Sequence, residues 1–175
     1  MSRGTAFLIV GLALLVGVAA WVGWTIKTHG FSAREDPSAA ETFLARHARR
    51  LAIPEGAKNL VNPLAATPLD LAEGRDHYAD HCAICHANNG SGKTEIGANM
   101  YPPAPDMRKE GTQGLRDGEI FFIIKNGIRF TGMPGWGGED EENWKLVLFI
   151  RRLPQLSEKE LELMKEINGQ EAEQE

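Results

Sequence analysis

Two cysteines and a histidine in the middle of the chain constrain its fold more than any other feature. The chain has 175 residues and only two cysteines, Cys82 and Cys85, which His86 follows directly. On a helical turn, residues at i, i+3 and i+4 project from one face, so this segment presents two thiols and an imidazole together. Two cysteines at this spacing are a local motif and not the disulfide framework of a secreted domain. The fold therefore has to be built around whatever these three side chains hold.

The sequence C-x-x-C-H is the attachment motif of c-type haem. The alternatives are a thioredoxin-like redox pair and half of a zinc site. A redox pair would sit in an α/β pattern, and the sequence shows no convincing strand alternation. A zinc site would need further cysteines or suitably spaced histidines, which the other four histidines do not supply. The motif therefore predicts one haem c, attached by two thioethers to Cys82 and Cys85, with His86 as an iron ligand.

A run of 21 uncharged residues, 6–26, lies close to the N-terminus. As a helix it spans about 31 Å at about 1.5 Å per residue, which matches the hydrocarbon core of a bilayer. A cleaved signal peptide is the alternative, but the apolar run continues beyond the weak cleavage site Val18-Ala19-Ala20. Trp21 and Trp24 are typical of a membrane interface. We expect residues 1–27 to be an uncleaved single-pass anchor that binds the lipid membrane through residues 6–26.

A linker is expected over residues 28–66. It contains a predicted Arg-rich amphipathic helix at 39–52, which opens at Ser38 with a Ser-x-x-Glu capping box. This helix is either an interfacial or partner-docking element or a solvated spacer, and the sequence leaves both readings open. The Pro-flanked stretch 54–63 is expected to be extended.

A compact domain is expected over residues 67–155, because Thr67-Pro68 is a helix start signal and Arg151-Arg152 before Pro154 is a stop signal. Residues 156–175 are expected to form an acidic helix and tail, with disorder from Gln170 onward.

The formal net charge of −5 offers no basic field, so we expect no nucleic-acid partner.

Further motifs accompany the C-x-x-C-H segment in a fixed order along the chain. They are Gly74, Tyr78 and Cys82 at four-residue intervals, then Gly132-Met133-Pro134-Gly135-Trp136, then Trp144 and Phe149. Together they resemble a class I cytochrome c over roughly residues 68–153. The resemblance implies an all-α fold of three to four short helices wrapped around one covalent haem, here with an N-terminal transmembrane helix. It also implies that Gly74 lets the first and last helices cross closely.

The resemblance further implies that Met133 is the distal iron ligand, in a loop whose glycine and proline fix the thioether. Histidine and methionine would then fill both axial positions and close the iron to substrate. Met100 and Met107 are the alternatives to Met133. His77 and His81 are expected to be surface residues.

A proline carbonyl that accepts a hydrogen bond from the proximal imidazole is also implied by the resemblance. Pro103 is the predicted residue, with Pro102 as the second choice. By the same analogy, contacts with the porphyrin or its propionates are expected from Tyr78, Tyr101, Arg129 and Trp136, although each of these could equally be a core or surface residue.

The function that follows is that of a membrane-anchored electron carrier and not of an enzyme, with redox proteins as partners and no small-molecule substrate. We expect it to carry single electrons between respiratory or dehydrogenase complexes. The alternatives are a fixed subunit of a larger oxidoreductase complex and, less favoured, a haem sensor or peroxidase. Because such proteins receive haem outside the cytoplasm, we expect the domain on the periplasmic face of a bacterial inner membrane. The basic residues Lys27, Arg34 and Arg46 after the span do not favour that orientation.

Overall fold

The computed structural model describes residues 2–30 and 32–170, which form helices and loops and contain no strand. The chain divides into two compact units, Met1–Ala33 and Arg34–Glu175. The helical architecture confirms the predicted all-α class. The last five residues of the predicted tail, 171–175, lie outside the described residues.

Helix α1, Arg3–His29, makes up most of the first unit. Ser2 caps it, because its Oγ accepts a hydrogen bond from the Thr5 N–H (3.2 Å). Lys27 and His29 lie in the last turn, where positive charge complements the helix dipole. In the described part of the chain, α1 is the one helix long and apolar enough to cross a membrane, a test that a signal sequence also meets.

The second unit begins with helix α2, Ala39–Ala52. The predicted capping box is present, since the Glu41 N–H donates to Ser38 Oγ (3.3 Å) and the Ser38 N–H donates to Glu41 Oε2 (2.8 Å). No residue of α2 is fully buried. Ile53, directly after the helix, is buried and leads into the short helix α3, Glu55–Lys58.

Residues 54–63, which we predicted to be extended linker, instead contain α3 and pack on the domain. A Cβ atom at Gly118 would collide with the Ala57 carbonyl, so the two backbones touch. Asn62 Nδ2 donates to the Trp144 carbonyl (3.0 Å). These contacts depend on residues far away in the sequence, which the local pattern of Pro and polar residues does not reveal.

The haem-attachment motif ends a continuous helical stretch. It consists of helix α4, Pro68–His77, a π-helical turn, Tyr78–Cys82, and helix α5, Ala83–His86. The start is the predicted one, with Pro68 in the first turn and Thr67 Oγ1 accepting a hydrogen bond from the Asp70 N–H (3.1 Å). The stretch stops at Ala87, whose φ of 60° is outside the helical region.

The long loop after the motif contains two short helices, α6, Glu95–Ala98, and α7, Glu110–Gln113. Helix α8, Asp117–Asn126, follows, and Arg116 rather than the predicted Asp117 is its N-cap residue. Helix α9, Asp140–Arg152, begins at the predicted residue. Arg151 Nε donates to Asp117 Oδ1 (2.9 Å), which ties the end of α9 to the start of α8.

The core lies where α4 crosses α9. At Gly74 a Cβ atom would collide with the Lys145 carbonyl and press on Phe149, so only glycine permits this approach. This confirms the packing role predicted for Gly74. Many of the other large side chains of this core come from the π-helical turn, α8 and α9, among them Tyr78, Ile120, Phe121, Ile124, Trp144, Leu146 and Val147.

Helix α10, Glu158–Asn168, packs on this core and is not a separate acidic appendage. Its Met164 is 0% exposed and belongs to the core cluster. Asn168 Nδ2 donates to the Ala79 carbonyl (2.9 Å), in the turn that leads to the cysteines.

Candidate haem site

Cys82 and Cys85 are free, partly buried thiols where the π-helical turn passes into α5. Burial, together with the neighbouring Cys85, raises the pKa of Cys82 to about 12. Burial also raises the pKa of Cys85. Redox-active and nucleophilic C-x-x-C pairs have lowered thiol pKa values instead. The site therefore lacks the electrostatics of a thioredoxin-like pair.

The imidazole of His86 is held as a metal ligand would be. Its Nδ1 is buried and has no hydrogen-bond partner among the described residues. Burial lowers the pKa of His86, while the nearby Pro105 carbonyl opposes that shift. Since the neutral imidazole is the form that binds metals, and a nearby carbonyl helps to fix the tautomer and orientation of a ligating histidine, the ring is suited to ligation.

The carbonyl beside His86 in the structure belongs to Pro105. The assignment of Pro103, with Pro102 as the second choice, stays a prediction. The register of the loop is set by its packing: the Ala104 N–H donates to the Gly97 carbonyl (2.9 Å), and a Cβ atom at Gly92 would strike the Ala104 carbonyl. Such contacts between loops decide which of three closely spaced prolines meets the ring. Their spacing in the sequence does not.

Thr94 and Gly97 support the attachment turn and were missed by the sequence analysis. Thr94 Oγ1 donates to the Ile84 carbonyl (2.8 Å) at the end of α5, and the Gly97 N–H donates to Thr94 Oγ1 (2.8 Å). A Cβ atom at Gly97 would collide with the Cys85 carbonyl. The available signal was Thr94 as the N-cap of a short helix, a residue type preferred at that position.

Met133 is half-buried in a tight loop after α8. Its carbonyl accepts a hydrogen bond from the Ile128 N–H (3.1 Å), and its own N–H donates to Thr131 Oγ1 (3.1 Å). Gly127 has a φ of 69°, and a Cβ atom there would strike the Met133 carbonyl. The loop is therefore closed by its backbone, which restricts where the thioether can lie.

A ring contact links this loop to the attachment turn. Trp136 makes an edge-to-face contact with His81, the residue before Cys82, with ring centroids 5.4 Å apart. The backbone N–H of Trp136 donates to the Ile124 carbonyl (3.1 Å), which holds the backbone of residue 136 beside α8. The methionine loop and the cysteine turn are thus brought together.

The two alternative methionines occupy different positions. Met107 is buried in the core cluster and serves packing. Met100 packs against the backbone of Gly132, because a Cβ atom there would meet its Sδ. Met100 therefore lies beside the loop that carries Met133.

Tyr78 is a core residue. It is 0% exposed, its ring packs on Phe149 with centroids 5.2 Å apart, and its hydroxyl donates to the Ala87 carbonyl (3.1 Å). Its contact with the haem stays a prediction. The recurring Gly74-Tyr78-Cys82 pattern reflects helix packing at its first two positions.

Of the other predicted contacts, Tyr101 donates its hydroxyl to Glu41 Oε1 (2.9 Å) on α2, and Arg129 is exposed. The haem contacts of Tyr101 and Arg129 therefore stay predictions. His77 and His81, which were expected to be surface residues, form an edge-to-face pair (4.9 Å between centroids), with His77 half-buried and His81 exposed. In the described part of the chain, no group of three His, Cys, Asp or Glu side chains could hold a metal ion.

The residues present fit a haem. The attachment turn offers two thiols and a neutral imidazole that lies near a carbonyl, and a half-buried thioether stands in the loop that Trp136 joins to that turn. A c-type haem would be attached covalently through the two cysteine sulfurs, and imidazole and methionine thioether are iron ligands of cytochromes c.

The chain matches the family model for cytochrome c oxidase, cbb3-type, subunit III, over residues 69–150, a little under half of its length. It is also similar to a thiosulfate dehydrogenase of Stutzerimonas stutzeri (strain A1501), with 41% identity over 34 residues. That alignment covers 19% of this chain and 11% of the relative, so the chain spans about a tenth of the relative's length. Fold, motif and family match agree that residues 69–150 form a domain of the class I cytochrome c type, which points to an electron-transfer protein rather than an enzyme.

Proposed function

We propose that this protein holds a single haem through thioether bonds to Cys82 and Cys85, with His86 and Met133 as axial ligands, and carries one electron at a time. The observation that carries the proposal is the attachment turn, where two free thiols precede the His86 imidazole, whose pKa burial lowers and which lies near the Pro105 carbonyl. A neutral imidazole beside a carbonyl, directly after a C-x-x-C pair, is suited to ligate the iron of a covalently attached haem.

The haem supplies a one-electron iron couple. The residues of the chain determine how that couple is used. Pro105 would fix the tautomer of His86, and the loop closed at Gly127 would hold the Met133 sulfur in place. With the His86 imidazole and the Met133 thioether as its two protein ligands, the haem iron would have no position left for a substrate, and its potential would be higher than with two imidazoles.

The proposal includes the setting of this carrier. Helix α1 would be retained as a single-pass anchor in the bacterial inner membrane, with the cytochrome on the periplasmic side. Electrons would pass between respiratory or dehydrogenase complexes in the same membrane. The support is the length and composition of α1 and the chemistry of haem attachment, which takes place outside the cytoplasm.

A second candidate is a fixed subunit of a larger oxidoreductase complex. The matching family model, which describes an oxidase subunit, favours it. Purification from membranes in a mild detergent separates the two: a mobile carrier elutes alone, whereas a fixed subunit elutes with stoichiometric partners.

The ligand assignment is tested by the absorption spectrum of the purified holoprotein. Sharp α and β bands in the reduced form, and a weak near-infrared methionine-to-iron band in the oxidised form, are expected. The near-infrared band should disappear in Met133→Leu and persist in the matched variant Met100→Leu. Loss in Met100→Leu instead would move the distal ligand to residue 100.

Carbon monoxide tests the sensor and peroxidase alternatives. The reduced protein should not bind it at neutral pH, whereas Met133→Leu should. Binding by the unmodified protein would show that the distal position opens readily.

A reporter fused after Glu175 tests the orientation, because a cytoplasmic signal would contradict the periplasmic assignment.

A further inference from the structure

Helix α2 turns its apolar side chains away from the domain that it packs on. Phe43, Leu44 and Leu51 are 60%, 65% and 82% exposed. The two half-buried residues of α2 are Thr42 and Arg49. Arg49 Nη2 donates to the Gly111 carbonyl at 3.5 Å, while Arg49 Nε is buried and has no partner among the described residues. A helix packed only for stability would bury its leucines and expose its arginine, so this arrangement points to an occupant of the outer face.

The exposed apolar side chains form a continuous stripe. Leu44, Ala48 and Leu51 follow the i, i+4, i+7 spacing of one helix face, and Phe43 lies beside them with its ring 4.0 Å from that of His47. Adjacent exposed large apolar side chains mark sites of protein or membrane contact. We call residues 43, 44, 48 and 51 the outer stripe.

The charges on the rest of α2 favour an anionic occupant. Arg46 and Arg50 are exposed on the polar side of the helix, away from Leu44 and Leu51, and the Arg46 guanidinium lies near Gly111. Glu41 is the one acidic residue of the helix, and it is engaged by the Ser38 N–H and the Tyr101 hydroxyl. Arginines on the polar face, with Leu and Phe on the other, are the pattern of helices that lie in the headgroup region of anionic membranes.

The position of α2 in the chain favours a lipid surface over a protein partner. Nine residues, 30–38, separate the end of α1 from the start of α2. Fully extended, nine residues reach about 30 Å at most. If α1 spans the membrane, α2 cannot leave the neighbourhood of the surface.

We propose that α2 lies in the interface of an anionic phospholipid membrane, with the outer stripe among the acyl chains and Arg46 and Arg50 on headgroup phosphates. This rests on the proposed retention of α1 as an anchor. Because Arg49 and Glu41 tie α2 to Gly111 and Tyr101, the helix would also fix the orientation of the cytochrome domain on the membrane.

A photo-crosslinking experiment tests this in the full-length holoprotein. Thioether attachment consumes Cys82 and Cys85, so a benzophenone maleimide reacts only with an introduced cysteine. Leu51→Cys is labelled in nanodiscs of phosphatidylcholine, with and without phosphatidylglycerol, irradiated and weighed by intact mass spectrometry. The matched control is Val61→Cys, because Val61 is also 82% exposed but does not belong to α2.

The label at residue 51 should yield single-phospholipid adducts, enriched in phosphatidylglycerol over its share of the disc. The label at 61 should yield few. The enrichment should disappear in Arg46→Gln/Arg50→Gln. Three outcomes would overturn the proposal. Equal lipid adducts at residues 51 and 61 would show that α1 merely tethers the domain near the membrane, and absence of adducts at 51 would show that the outer stripe is solvated. A covalent protein dimer would show that the outer stripe contacts a second copy of the chain.

Retention in the disc and the reduced spectrum are scored separately from crosslinking. Loss of the protein from the disc overturns the anchor and this proposal with it, while an abnormal spectrum overturns the haem ligand assignment alone. If crosslinking fails while retention and spectrum are normal, the membrane placement of α2 is contradicted and the proposed electron-carrier function is unaffected.

Discussion

Helices α2 and α10 begin with the same signal and have opposite packing. Each opens with a Ser-x-x-Glu capping box in which the serine side chain and the glutamate side chain both accept their hydrogen bonds. Each also carries an apolar stripe along one face. In α10 that stripe is directed inward, with Met164 in the core, whereas in α2 it is directed outward, with Leu51 in solvent.

The difference lies in what the rest of the domain offers to each helix. The surface beside α10 presents the Ala79 carbonyl and the buried side chain of Asn88, both of which Asn168 satisfies. The surface beside α2 presents the Gly111 carbonyl and the Tyr101 hydroxyl, which attract Arg49 and Glu41. A helical pattern thus shows where the apolar face is, but the partner surface decides whether that face is buried.

The largest expected effect separates the two stripes directly. Met164→Ala should lower the free energy of unfolding by about 2 to 5 kcal/mol, because it empties a fully buried position. Leu51→Ala, the counterpart in α2, should change it by less than about 0.5 kcal/mol. Guanidinium unfolding of the detergent-solubilised holoprotein, followed by haem absorption, measures both. Similar losses in the two variants would contradict the comparison.

The polar anchor of α10 should give the next largest effect. Asn168→Ala removes the hydrogen bonds to the Ala79 carbonyl and Asn88 Oδ1 and leaves buried groups unsatisfied. We expect a loss of about 1 to 3 kcal/mol in the same unfolding measurement. Asn99→Ala, which removes an exposed bond to the Glu95 carbonyl, is the control and should be close to neutral. A neutral Asn168→Ala would mean that α10 docks through Met164 alone.

The two capping boxes offer a matched pair of variants. Ser157→Ala should cost about 1 kcal/mol of global stability, because α10 unfolds together with the core. Ser38→Ala should leave global unfolding unchanged and speed hydrogen exchange only in the first turn of α2, which contributes no buried residue. Exchange mass spectrometry locates both effects. A global loss in Ser38→Ala would show that α2 is part of the same cooperative unit.

The smallest expected effect is a pH dependence confined to α10. Although partial burial raises the pKa of Glu160, hydrogen bonds from Arg152 and Ser157 outweigh it and lower that pKa to about 2. Since the folded-state pKa is depressed, the stabilisation is full above about pH 4.5 and is lost as the pH falls toward 2. It should amount to less than about 1 kcal/mol, because Arg152 is partly exposed.

Glu160→Gln should flatten stability across that window. Glu41→Gln in the exposed box of α2 should leave the profile as it is. A profile that stays steep in Glu160→Gln would assign the acid sensitivity to other carboxylates, with Asp106, whose pKa is also lowered to about 2, as the first to examine.

Much of the fold could be predicted because its signals are local. The helix starts at Thr67, Ser38 and Ser157 depend on side chains that cap their own backbone, and the structure confirms each of them. The packing role of Gly74 could be predicted because the resemblance to class I cytochromes c implies a close crossing of the first and last helices at that position. The position of the Pro105 carbonyl beside His86 could not be predicted, because the close backbone contacts of Gly92 and Gly97 set the register of the loop.

The sequence by itself determined the haem-attachment turn, the all-helical class and the apolar helix at the N-terminus, because each rests on spacing or composition within a short segment. Only the tertiary structure decided that Tyr78 is core, that residues 54–63 pack on the domain, and that α10 faces inward while α2 faces outward. Those outcomes depend on which surfaces meet across long stretches of chain. Contacts of that kind are set by the shape and hydrogen-bonding needs of both partners, and neither partner's own sequence records them.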